Sequence, residues 1–185
     1  MGNISHIGDN QVMKRPFSSL SAQEALHVAI FIEERNAELY HRFAEMFVEF
    51  RDLESLEIAG VFWDMAVEEH HHSTRLLELY TERFGTAACA MTEEDISDMI
   101  EVPRLEDGDV LSGDPRNATP ARERALQVAL VAEQNARKFY GGLAEYVDDP
   151  KLRRFYKELA EFETDHVEFL ERKVAQTAAE NDKKS

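Results

Sequence analysis

Two stretches of the chain, 100 positions apart, carry one pattern: "ALHVAIFIEERNAELYHRFAE" (25–45) lines up with "ALQVALVAEQNARKFYGGLAE" (125–145). The identities are Ala25/Ala125, Leu26/Leu126, Val28/Val128, Ala29/Ala129, Glu33/Glu133, Tyr40/Tyr140, Ala44/Ala144 and Glu45/Glu145. Most fall at 26, 29, 33, 40 and 44, the three-four-seven spacing that collects side chains on one face of a helix. A glutamate stands in the middle of each apolar stripe. An isolated carboxylate there is costly to bury, so each needs a partner or a metal ion.

A second repeat sits between and after these. Shifting "VFWDMAVEEHHHSTRL" (61–76) by 94 places it on "FYKELAEFETDHVEFL" (155–170), with Met65 on Leu159, Ala66 on Ala160 and Leu76 on Leu170. The three consecutive histidines 70–72 offer two Glu-x-x-His registers, Glu68/His71 and Glu69/His72. The shift of 94 matches Glu69 to Glu163 and His72 to His166. A shift of 95 sets Lys157 on Phe62 and Glu171 on Leu76, which breaks the apolar stripe. The stripe therefore selects Glu69 and His72, and turns Glu68, His70 and His71 sideways or outward.

Glu-x-x-His by itself says little, because it also occurs at Glu24/His27 and Glu38/His41. The set is the specific signal: one inward glutamate on each of two helices and one inward Glu-x-x-His on each of two others. Residues three apart share a helix face, so each pair can grip one metal ion. Four carboxylates carry −4, which two divalent cations cancel while both imidazoles stay neutral. Such oxygen and nitrogen donors suit iron or manganese.

Periodicity predicts an all-α fold of four long helices. "SAQE" at 21–24 reads as a capping box that opens the first helix, which runs to about Phe50. The second starts near Asp52 and stops before Gly85. Thr119 and Pro120 announce the third, and Asp149 and Pro150 the fourth. Very short turns join the first helix to the second and the third to the fourth, so each pair is an antiparallel hairpin. A long acidic crossover, 85–118, joins the pairs, with a short helix expected within "TEEDISDMI" (92–100). Gly141-Gly142 marks a kink or a close helix contact. The expected organisation is a flexible arm at 1–18, one bundle at 19–180 and a polar tail at 181–185.

With 21 Lys plus Arg against 37 Asp plus Glu, the net charge is −16. That surface repels nucleic acid and anionic lipid and attracts cations. The single cysteine, Cys89, excludes an internal disulfide framework and a thiolate-held cluster. No segment has the apolar length of a membrane span, and the start lacks the apolar core of a signal peptide. The expected location is cytoplasmic.

"EERNAELY" and "EQNARKFY", with "AVEEHHH" and "AEFETDH", resemble the ferritin-like superfamily and, within it, the rubrerythrin-like di-iron proteins. The resemblance runs over all four helices, about residues 21 to 178. It implies a ferritin-like four-helix bundle holding two iron ions, or manganese or a mixed pair, on Glu33, Glu69, His72, Glu133, Glu163 and His166. It implies chemistry with O2 or hydrogen peroxide, and handling of Fe(II). Tyr40 and Tyr140 match family tyrosines whose phenols hydrogen-bond a ligand carboxylate. Two features depart from the family pattern. One cysteine cannot form the family's rubredoxin iron site, so the electron donor is expected to be a separate protein. Ala136 stands where typical members carry an extra glutamate. The leading expectation is an oxidoreductase acting on peroxide or O2 as a homodimer or larger homo-oligomer. Its alternatives are a ferroxidase that stores or delivers iron, and a non-catalytic bundle that metal only staples.

Overall fold

A computed structural model describes residues 16–97, 100 and 118–184, and the side chains of these apart from 118–120 and 180–184. A 3-10 turn at Phe17–Ser19 leads into α1 (Ala22–Phe50), α2 (Leu53–Phe84), the short α3 (Glu93–Ser97), α4 (Ala118–Tyr146) and α5 (Pro150–Lys184).

Local chemistry sets the helix ends. Ser21 accepts from the Glu24 amide while Glu24 returns a bond to the Ser21 amide, the expected capping box. Asp52 caps α2 through the Ser55 amide at 2.9 Å. Gly85 closes it with φ +63°, a conformation open to glycine, its amide bonding the Thr81 carbonyl. Asp149 caps α5 by accepting from the amides of Lys151 and Leu152. Thr92 and Asp95 exchange bonds at the start of α3.

Three expectations shift. Helix α4 starts at Ala118, so Thr119 lies inside it rather than ahead of it. Helix α5 continues through the expected polar tail to Lys184, in keeping with the good helix formers Ala, Glu and Lys there. Gly141-Gly142 does not break α4, and the close contact at Gly142 is with the Phe17 ring, not with a helix. A Cβ at Gly142 would stand 2.5 Å from that ring. Phe17 also packs on Phe139 and Tyr146, so the last residues of the expected arm dock on the bundle. Most of the expected crossover, at 98–99 and 101–117, and the arm's first fifteen residues lie outside the described residues.

The helices pair as α1 with α2 and α4 with α5, and α1 touches α4 between the pairs. Two apolar clusters fill the bundle. One joins residues 25–32 of α1, Leu76 and Tyr80 of α2, 136–144 of α4 and 152–159 of α5. The other joins 39–47 of α1, 58–66 of α2, 125–129 of α4 and Leu170 of α5. The early part of α1 thus meets the late part of α4, and the late part of α2 meets the early part of α5. Both of these pairs are antiparallel, as are the hairpins themselves. The aromatic centre of the second cluster is Phe62, in contact with Tyr40, Phe43 and Phe47. Buried Arg122 of α4 ties the hairpins at one end, pairing with Glu54 and approaching Ser55 Oγ at 3.4 Å.

Candidate metal centre

Each long helix is interrupted by polar residues at the level where the apolar clusters part. Glu33 on α1, Glu69 and His72 on α2, Glu133 on α4, and Glu163 and His166 on α5 meet there. The four glutamates are 0% exposed and the histidines 6% and 9%. Two overlapping groups form. Glu33, Glu69, His72 and Glu163 each bring one donor atom within 4.8 Å of the others, and so do Glu69, Glu133, Glu163 and His166. Glu69 and Glu163 belong to both.

The outer members of the groups are tied crosswise. The Tyr40 hydroxyl on α1 donates to Oε1 of Glu133 on α4, and the Tyr140 hydroxyl on α4 donates to Oε1 of Glu33 on α1. The remaining oxygen of each glutamate faces a histidine: Glu33 Oε2 lies 3.3 Å from His72 Nδ1, and Glu133 Oε2 lies 3.3 Å from His166 Nδ1. Burial, and then the nearby carboxylates, push both tyrosines well above their ordinary pKa. Both phenols therefore keep the proton they donate.

The shared pair is different. All four carboxylate oxygens of Glu69 and Glu163 are buried without a hydrogen-bond partner. The nearby donor is His166 Nδ1, 3.3 Å from Glu69, 3.3 Å from Glu133 and 3.8 Å from Glu163. One nitrogen carries one proton, which cannot satisfy three carboxylates. Burial first, then the charges of Glu33 and Glu133, raise Glu69 well above the carboxylate range. Burial and then Glu133 and Glu69 do the same to Glu163. Burial also works to raise Glu133, but the closeness of Glu163, His166 and Tyr40 outweighs it and lowers its pKa. Burial would lower His166, yet its carboxylate neighbours overcome that and raise it. Orphaned oxygens, two imidazoles and four carboxylates in a closed layer are a donor set that fits two divalent cations.

The structure brings all six sequence-predicted side chains into this layer, with Tyr40 and Tyr140 against it. His70 and His71 are exposed. Glu68 lies at the rim of the layer, its side chain 58% exposed, and its Oε2 lies 2.7 Å from His166 Nε2. No spacing in the sequence signals that contact, because it spans two hairpins. Ala136 and its repeat mate Asn36 are both buried, and the Asn36 amide nitrogen has no hydrogen-bond partner.

Residues 24–106 match the Rubrerythrin family. A solved structure, a hypothetical protein from Pyrococcus furiosus, is similar over 89% of this chain and 96% of that one, with TM-score 0.66 and 23% identity, a likeness of fold. No curated protein matches the chain.

Proposed function

We propose that this rubrerythrin-type chain, an all-α ferritin-like bundle, holds two iron ions and reduces hydrogen peroxide or O2 with electrons from a separate donor protein. The observation that carries this reading is the buried layer in which the shared glutamates have four oxygens without a hydrogen-bond partner. In this reading Glu33 and His72 serve one ion, Glu133 and His166 serve the other, and Glu69 and Glu163 serve both. Bound there, a ferrous pair supplies the two electrons that, with two protons, turn one peroxide into two waters.

The protein's own part is positional. Tyr40 and Tyr140 restrain one oxygen of each outer glutamate and leave the other facing its histidine. The apolar clusters on either side keep bulk water from the layer. In that setting an unpaired charge is expensive, and cation binding stabilises the folded state. The same reading places the protein in the cytoplasm as a homodimer or larger assembly. The exposed Leu56, Trp63 and Val67 on one face of α2 support self-association.

The test is anaerobic loading with Fe(II), metal analysis, then separate challenge with peroxide and O2. Two irons per chain and faster reaction with peroxide, renewed by a reductant, are the expected results. Repeated Fe(II) oxidation with ferric iron accumulating would turn the assignment to a ferroxidase. Loaded protein inert to both oxidants would leave a metal-stapled bundle.

A further inference from the structure

The two metal positions use the same kinds of donor but differ beside their histidines. Under the 94-residue repeat, His72 corresponds to His166 and Glu68 corresponds to Phe162. Each of these last two reaches the histidine of the other hairpin. Glu68 on α2 lies 2.7 Å from Nε2 of His166 on α5. Phe162 on α5 lies against His72 on α2, with ring centroids 5.1 Å apart. One histidine therefore meets a carboxylate where the other meets a phenyl ring.

We infer that Glu68 is a positioning residue that orients His166 for metal and makes the two metal positions unequal. This rests on the metal-centre reading above. An imidazole binds a cation through a nitrogen without a proton, and its other nitrogen keeps one. With Nε2–H donated to Glu68, His166 presents Nδ1 to Glu69, Glu133 and Glu163 in a fixed ring orientation. The carboxylate also makes the ring a stronger donor. Phe162 has no acceptor to offer His72, whose Nδ1 faces Glu33 without that support. The position served by His166 should fill first.

The experiment is an anaerobic titration of metal-free, full-length protein with Co(II), followed by optical spectra and proton NMR. Wild type is expected to bind two ions in resolved steps, the first at least about tenfold tighter. Glu68→Ala should weaken one step by on the order of ten- to a hundredfold and leave the other unchanged. Glu68→Gln keeps an oxygen acceptor and should recover most of the loss, which a surface charge acting only on stability would not do. In the cobalt protein one shifted ring N–H signal should exchange slowly with solvent, and Glu68→Ala should speed that exchange. Two equal steps in wild type, or affinities and exchange unchanged in a folded Glu68→Ala that binds two ions, would overturn the role of Glu68. Wild type that binds no metal would overturn the metal-centre reading and this inference together.

Discussion

In the α1/α2 hairpin, His72 lies 3.3 Å from Glu33 and beside the Phe162 ring; in the α4/α5 hairpin, His166 lies 3.3 Å from Glu133 and 2.7 Å from Glu68. Inside the layer the halves carry the same donor residues, down to the reciprocal tyrosine bonds. At its rim they diverge, a carboxylate in one half against a phenyl ring in the other. The buried bonds tolerate little change, because each fills a group that otherwise has no partner. The rim is partly hydrated, so a change there alters the strength of a contact without stranding a buried charge.

The harshest way to break the comparison is to remove what the halves share. Glu69→Ala or Glu163→Ala takes a carboxylate from both donor groups at once. Each is expected to drop bound metal from two ions to less than one per chain by elemental analysis. Glu33→Ala should drop it only to about one. Equal losses for all three would show that no carboxylate is shared.

Removing one histidine separates the halves. His72→Ala and His166→Ala should each lose one ion, while His70→Ala and His71→Ala keep two. Calorimetric titration of the four variants checks this. Loss at His71 with retention at His72 would mean that the chosen repeat register is wrong.

Protons compete for the same layer, and the sign follows from the shifts. Glu69 and Glu163 are raised above their ordinary 4.5, so folded metal-free protein holds protons that the unfolded chain releases. Their effect makes stability fall as pH rises past 4.5. The raised His166 adds stability that is full below 6.5 and lost as pH rises above it. Lowered Glu133 works in the opposite sense, but its contribution is already complete above 4.5. Metal-free protein should therefore melt higher at about pH 5.5 than at about pH 8, and metal-loaded protein the reverse. Circular dichroism melts of both forms supply the measurement, and parallel pH trends would count against a proton-for-metal exchange.

Smaller effects test the symmetry itself. Tyr40→Phe and Tyr140→Phe each leave one outer carboxylate oxygen without its donor, at a cost of about 1–3 kcal/mol in urea unfolding of the loaded protein. The two costs should be alike, and a large difference would mean that the inner layer is not symmetric. Least of all, Phe162→Glu should give His72 the carboxylate it lacks and bring the two metal affinities closer together, within roughly tenfold. Affinities that move further apart would show that the phenyl ring supports His72 in its own way.

Much of this was decided by short-range order in the chain. The helix period exposed the four apolar stripes, and the caps at Ser21, Asp52 and Asp149 marked three starts. The two repeats then singled out six polar side chains that the folded chain gathers into one layer. Register against the stripe was enough to separate His72 from His71, because neighbours along one helix follow from its 3.6-residue turn.

Tertiary structure decided what passes between helices. That Tyr40 serves Glu133 rather than Glu33, that Glu69 and Glu163 are the shared pair, that Gly142 receives Phe17, and that Glu68 touches His166 all depend on how far apart the helices stand and how each is rotated. Those quantities come from the packing of whole apolar faces, not from the spacing of any one motif. Glu68 shows the difference most directly. Its own helix turns it away from the buried layer, and only the approach of α5 gives its carboxylate a histidine to hold.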